Sequence, residues 1–237
     1  MDAPASSVEQ SDIAELESQL TTGSEKTQLP ILTQLHGLGA RGWQVLQTFL
    51  QSRRQNPATF IDGRCYELLL SIDADEPQAF LQEHFPTGVV PLNSDVEANY
   101  LPLQQLLARQ QFEEADRLTL HQLCELEGPA AVKRKWIYFT QIEQFPISDL
   151  QTMNQLWLVH SEGKFGFSVQ RQLWLSLGRN WDALWPKIEW KSDRNWTRYP
   201  EGFTWDLSAP RGHLPLSNQL RGIQVMNALL NHPAWTS

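Results

Sequence analysis

Residues 100–126 read YLPLQQLLARQQFEEADRLTLHQLCEL, and their apolar spacing decides the fold class. Leu103, Leu106 and Leu107 fall on one helical face. Phe112, Ala115 and Leu118 begin a second after a tight turn, so the stretch predicts two antiparallel helices rather than alternating strands. The same period recurs on both sides. Downstream, Ser148 is a candidate N-cap for DLQTMNQLWLVH and Ser168 for VQRQLWLSLG, with Gly178 as the stop. Asn180 is placed to cap WDALWPKI, and a last amphipathic helix is expected from Leu216 to Leu230. Between them, Lys191 to Leu214 is rich in proline and glycine and reads as a long loop ordered by its own aromatics.

Upstream, Ile13, Leu16 and Leu20 share a face, as do Leu29, Leu32 and Leu35, then Trp43, Leu46, Phe49 and Leu50. Gly37, Gly39 and Gly42 punctuate the turn between the second and third segments. Tyr66, Leu69 and Leu70 form another face, and Phe80 with Phe85 a short last one. These short paired helices resemble a small helical-repeat bundle. The proline-bearing segment HFPTGVVPLNSDVEANY interrupts the pattern and marks the boundary. The expected architecture is all-α in two domains: a helical bundle over 1–86, with residues 1–12 frayed, and a core over 87–237.

Composition limits the partners. The chain of 237 residues carries a formal charge of −8, which argues against general nucleic-acid or membrane coating. The charge is unevenly spread: residues 164–221 hold nine Lys/Arg against five Asp/Glu, a +4 district in a chain otherwise at −12. Cys65 and Cys124 form no CxxC and sit in helical segments, so a disulfide framework is not expected. No apolar run is long enough to span a bilayer, and MDAPASSVEQSD lacks the basic flank and apolar centre of a secretory signal. A cytoplasmic or mature organellar protein is expected.

Catalytic and metal-binding patterns are sparse. His121 and Cys124 stand three apart on a helix, yet zinc needs two further ligands and none is near. GKFGFS at 163–168 lacks the Lys-Ser/Thr ending and preceding strand of a phosphate loop, and reads as a turn with an N-cap. Asp206, Arg211 and His213 form the best polar group of the long loop. They lack a nucleophile, and loop-bracing hydrogen bonds account for them. No catalytic residue and no metal site are assigned.

The aromatic district is more informative. Six of the ten tryptophans fall between Trp174 and Trp205, interleaved with cations. Trp174, Trp181 and Trp185 are spaced for helix packing, and core is their ordinary role. Trp196, Tyr199, Phe203 and Trp205 lie in the loop, where periodic burial does not apply; they serve either local packing or a ligand. Rings beside arginine forks suit a flat, largely apolar ligand with anionic arms.

WPKIEWKSDRNWTRYPEGFTWDLSAPRGHLPLSNQLRG resembles the core of the genomes-uncoupled-four family of cyanobacteria and chloroplasts. FEEADRLTLHQLCEL, WIYFTQIEQFPISDL and LWLVHSEGKFGFSVQRQLW are similar to the same family, so the resemblance covers about 90–237. The segment before it is similar to the amino-terminal bundle of cyanobacterial members. The resemblance implies a non-enzymatic binder of protoporphyrin IX and magnesium protoporphyrin IX, with an all-helical cupped core around an apolar hollow. It further implies stimulation of magnesium chelatase through that enzyme's large porphyrin-binding subunit. A monomer is implied, cytoplasmic, able to associate peripherally with thylakoid membranes. The residues it points to are Phe139, Ile142, Arg198, Tyr199, Phe203, Trp205 and Arg221, with Tyr199 where a tryptophan is expected in relatives. Control through the phosphorylated tail of plant members is not expected, because the chain ends soon after HPAW.

The ligand's energetics agree with that reading. Burying one face of a tetrapyrrole, roughly 200–300 Å² at about 25 cal/mol/Å², supplies ~5–7 kcal/mol before ordering costs. Micromolar binding needs about 8 kcal/mol. One or two charge-assisted contacts from Arg198 or Arg221 to the propionates, ~1.5–3 kcal/mol each, close the difference. Two other classes share the residue pattern: a single-strand nucleic-acid binder, whose affinity would collapse with salt, and a protein-docking module with tryptophan anchors.

Overall fold

The computed structural model describes residues 5–193, 195–216 and 223–236, with side chains from residue 12 onward. Twelve α-helices lie among the described residues, with one two-stranded hairpin, so the fold is all-α. The chain separates into two compact units, Met1–Val89 and Val90–Ser237.

The first unit holds α1 (Ala5–Thr22), α2 (Glu25–Gly37), α3 (Ala40–Arg53), α4 (Phe60–Leu70) and α5 (Asp75–His84). α1 begins at Ala5, within the stretch expected to fray. The faces read from the sequence converge: Leu20, Leu32, Leu35, Leu46, Leu50 and Leu69 are all buried in one cluster. α2 lies against α1, α3 and α4, which makes it the central element. The turn from α2 to α3 explains its glycines. Gly39 takes φ +67, and a Cβ on Gly42 would stand 1.9 Å from the Leu35 carbonyl oxygen. The start of α4 is held by Asp62, whose Oδ2 accepts the Thr59 N–H at 2.7 Å and the Arg53 guanidinium at 3.0 Å. Both cysteines are free and buried.

The second unit runs through α6 (Leu101–Ala108), α7 (Phe112–Glu127), α8 (Pro129–Arg134) and a 3-10 turn at Phe139–Gln144. It continues with α9 (Ile147–Val159), α10 (Phe167–Ser176), α11 (Trp181–Lys187), strands β1 (Lys191–Ser192) and β2 (Asn195–Trp196), α12 (Ile223–Leu230) and a 3-10 turn at Pro233–Trp235. α8 and both 3-10 turns carry too few residues for a periodic signal, which is why the pattern missed them. α6 and α7 pack as the expected pair. At the centre, Trp157 stacks 6.0 Å from Phe112, and Phe165 closes edge-on at 5.5 Å from Phe112. The indole N–H of Trp157 is satisfied by Thr119 Oγ1 at 3.0 Å. Buried Asp149 gathers the start of the unit, accepting from the Tyr100 hydroxyl (2.7 Å), Ser94 Oγ (2.6 Å) and the Asp95 N–H (2.9 Å).

Two expected caps are displaced. α9 begins at Ile147 after Pro146, and Ser148 instead donates to Asp149 Oδ2 at 3.2 Å. α10 begins at Phe167 with Gly166, φ +134, before it, so Ser168 lies inside the first turn. Gly166 takes a backbone conformation that a serine would resist. Two other local expectations hold, whereas Leu216, expected at the start of the last helix, is not helical. Asn180 Oδ1 accepts the Ala183 N–H at 3.2 Å. Gly178 ends α10 at φ +66, with the Arg179 N–H on Trp174 O (2.9 Å) and its own N–H on Leu175 O (3.0 Å), a Schellman pair. The last helix is described over Ile223–Leu230; residues 217–222, and with them Leu220 and Arg221, lie outside the described residues.

Candidate functional site

The aromatic district folds into two parts, a packed ladder and a presented loop. The ladder follows from helix spacing. Trp174 meets Trp181 at 4.7 Å, Trp181 meets Trp185 at 5.2 Å, and Trp185 stacks on Trp190 at 5.8 Å. Trp174, Trp185 and Trp190 are buried, in agreement with core as the ordinary role of such spacing. Trp190 donates its indole N–H to the His213 carbonyl at 2.7 Å, fastening the far end of the loop to α11. The β1–β2 hairpin then pairs Lys191 with Trp196 and turns the latter outward, where it is 47% exposed. Trp196 meets Trp185 edge-on at 5.4 Å and carries the Lys191 ammonium 5.5 Å from its ring.

The loop after the hairpin holds three of the expected residues together. Tyr199 lies 6.3 Å from Phe203 and 5.9 Å from Trp205, and Phe203 lies 5.8 Å from Trp205. Gly202 permits the tight course, because a Cβ there would meet the Arg198 carbonyl oxygen at 2.7 Å. Trp205 donates its N–H to Pro200 O at 3.0 Å. Phe203 is buried and backs onto His213 at 5.3 Å, whereas Tyr199 remains 45% exposed and Arg198 is exposed.

His213 is the brace. Its Nδ1 bonds the Ile188 carbonyl at 2.7 Å, and its Nε2 accepts the Thr204 N–H at 3.2 Å. That pattern requires the neutral ring with its proton on Nδ1. Burial lowers its pKa, with the Ile188 carbonyl and Glu189 opposing, so neutrality is favoured. Both nitrogens are engaged and neither is available to a metal. The other members of the polar group point elsewhere: Asp206 accepts the Ser208 N–H at 2.7 Å, and Arg211 donates to Gln172 Oε1 at 2.5 Å. GKFGFS is a turn, its Gly166 N–H bonding Leu214 O at 3.0 Å. Cys124 is buried while His121 faces Glu125 at 3.5 Å, so that pair does not converge. Among the described residues no three His, Cys, Asp or Glu side chains gather as a metal site.

The start of α7 also reaches this loop. The Tyr199 hydroxyl is held above its usual range by burial first, and then by the field of Asp116, with Arg117 opposing and Glu113 and Glu114 adding. Asp116 is buried, and its Oδ1 accepts the Leu216 N–H at 2.6 Å. The sequence reading missed Asp116. Its signal was present, since a carboxylate on the same stripe as Phe112, Ala115 and Thr119 has to be buried for a reason.

Phe139 and Ile142 sit on a separate support. Their 3-10 turn packs along α12. Ile142 is fully buried and forms wall, while Phe139 is 42% exposed. Phe139 also lines a groove of about 740 Å³ whose opposite side carries Gln224, Asn227 and Asn231. The loop cluster ends at Leu216 and the Phe139 turn rests on a helix described from Ile223, so the two groups flank residues 217–222 in the chain. Arg221, expected at the site, lies outside the described residues.

The GUN4-like family matches residues 93–233, and the ARM-like repeat domain of the GUN4 N terminus matches residues 5–86. A Ycf53-like protein of Synechocystis sp. is 48% identical over 227 residues, 95% of this chain and 97% of its own length. A chloroplastic tetrapyrrole-binding protein of Arabidopsis thaliana is 38% identical over 144 residues, 57% of this chain and 54% of its own. Among solved structures, GUN4 from Chlamydomonas reinhardtii aligns with a TM-score of 0.58 at 38% identity, covering 62% of this chain and 95% of that one.

Proposed function

The chain belongs to the GUN4-like family, and from that premise we propose that it binds protoporphyrin IX and magnesium protoporphyrin IX without transforming them. The observation that carries the reading is the loop cluster. Tyr199, Phe203 and Trp205 make one apolar surface, exposed at Tyr199 and fixed from behind by the buried His213. Such a preset surface limits the ordering cost when a flat ring settles on it. Arg198, exposed beside Tyr199, and Arg221 supply guanidinium forks for the two propionates. Trp196 and Phe139 extend the apolar contact in this reading, and the fully buried Ile142 serves as wall.

The binding unit is assigned to 87–237 and the bundle over 1–86 serves as scaffold or docking surface. The bound porphyrin is delivered to, or received from, magnesium chelatase, which the protein stimulates through the large porphyrin-binding subunit. The protein acts as a cytoplasmic monomer able to associate peripherally with thylakoid membranes; no helix among the described residues is long and apolar enough to cross one.

Titration with protoporphyrin IX, followed by the Soret band and tryptophan quenching, tests the reading. A saturable Soret shift that survives added salt is expected. Absence of any shift would leave the exposed aromatics as a protein-docking surface. An affinity that collapses with salt, in parallel with binding to single-stranded nucleic acid, would transfer the site to that class.

A further inference from the structure

A second cavity of about 620 Å³ opens between α9 and α10, lined by none of the residues assigned to the porphyrin. Its walls are built by register. Ser148, Thr152 and Gln155 lie on one face of α9, and Ser168, Arg171 and Gln172 on one face of α10, at spacings of three and four. Beside these amides, hydroxyls and one guanidinium the cavity is lined by Val90, Pro91, Leu175 and Ala234, with no carboxylate among the described residues. The 3-10 turn at the C-terminal end packs on α9 and brings the half-buried Trp235 ring to the rim.

Several of the cavity's polar groups are engaged within the protein, Ser148 Oγ with Asp149 Oδ2, Thr152 Oγ1 with Asn93 O and Gln172 Oε1 with Arg211, and two residues keep open donors. Asn154 is 7% exposed, and its Oδ1 accepts the Ser168 N–H at 2.9 Å. Its amide Nδ2, which reaches the cavity, has no hydrogen-bond partner among the described residues. Arg171 spends only Nε, on Leu230 O at 3.0 Å, leaving both Nη groups without a partner among the described residues. Neither donor is sealed from solvent, so a ligand oxygen would take the place of water there. Trp235 spends its indole N–H on Leu229 O at 2.5 Å and rests tilted against Phe167 at 6.0 Å, so what it brings to the rim is apolar ring surface.

We propose that this cavity binds a sugar bearing a single anionic group, phosphate or carboxylate. Asn154 Nδ2 and the Ser168 hydroxyl meet the sugar hydroxyls, the Trp235 ring meets the C–H side of the sugar, and the Arg171 Nη fork takes the anion. A volume of this size is in the range that holds one small molecule. Gln172 of the lining bonds Arg211 of the long loop, but no lining residue is assigned to the porphyrin, so the two ligands are titrated separately.

Calorimetric titration of the full chain with glucose 6-phosphate, glucuronate, glucose and inorganic phosphate tests it. One of the two charged sugars is expected to bind at least about tenfold more tightly than both glucose and phosphate, ~1.4 kcal/mol. The stronger of the two identifies the anion. Arg171→Gln should weaken that sugar at least about tenfold while the porphyrin titration and circular dichroism stay unchanged. Ser168→Ala, which leaves the Arg171–Leu230 bond alone, should weaken it as well. No heat from any of the four up to about 10 mM would overturn the proposal. So would equal binding of glucose and its phosphate, or full binding in both variants.

Discussion

Asp116 and Leu216 are 100 residues apart in sequence and 2.6 Å apart in space, where the Leu216 N–H donates to Asp116 Oδ1. The bond ties the end of the aromatic loop to the first turns of α7. It also makes this part of the unit responsive to pH. Burial pushes the Asp116 carboxyl up to about 7, against the opposing pull of the Leu216 N–H and Arg117, with Glu113 adding to the rise.

A pH dependence of stability follows. The folded pKa lies above the unfolded one, so the stabilisation from protonated Asp116 is full below about pH 4 and is lost as pH rises through about 7. Asp116→Asn keeps an oxygen for the Leu216 N–H and cannot ionise. Urea unfolding of both proteins at pH 5 and pH 8 should show the variant gaining on the wild type at pH 8, by on the order of a few kcal/mol. An equal difference at both pH values would show that the carboxyl ionises freely in the fold.

Tyr199 and Phe203 should separate binding from stability. Phe203 is buried among Tyr199, Trp205 and His213, so Phe203→Ala should destabilise by about 3 kcal/mol, read in chemical denaturation. Tyr199 is 45% exposed, and Tyr199→Ala should cost under about 1 kcal/mol of stability. Its porphyrin affinity should nevertheless fall about tenfold. A wild-type affinity in Tyr199→Ala would remove that ring from the site.

Arg221 should act through its charge. Arg221→Ala is expected to weaken a porphyrin dicarboxylate by roughly 1.5–3 kcal/mol. Arg221→Lys should recover only part, because an ammonium lacks the planar fork. The porphyrin dimethyl ester should bind wild type and Arg221→Ala alike. Equal losses for acid and ester would point to damage in the neighbouring wall instead.

Central metal should matter little. His213 has both nitrogens engaged, so ring area and propionates carry the energy. Free-base and magnesium forms should bind within about a hundredfold of each other, ~2.7 kcal/mol. A larger gap in parallel titrations would reveal an axial ligand, with the buried His160 the first to replace by Gln.

The fragment 87–237 should stay helical by circular dichroism and keep its porphyrin affinity. The aromatic loop, its His213 brace and the Asp116–Leu216 bond all lie within the second compact unit. A fragment that remains folded yet loses binding would show that the amino-terminal bundle completes the site.

Much of this protein was decided locally and was therefore legible in the sequence. Apolar spacing marked the helix pairs of both units, and Asn180 and Gly178 marked their cap and stop, because helix period and cap chemistry act over only a few residues. Local signals also misled: Ser148 and Ser168 look like caps, but Pro146 and Gly166 fix the backbone there first. The packed ladder of Trp174, Trp185 and Trp190 followed from spacing, whereas the outward turn of Trp196 depended on a two-residue hairpin too short to announce itself. Only the tertiary structure paired Asp116 with Leu216 and set His213 behind Phe203. It alone turned two polar helix faces toward a common cavity. Those relationships depend on which distant segments share a desolvated space, and no periodicity along one segment encodes the segment that will face it.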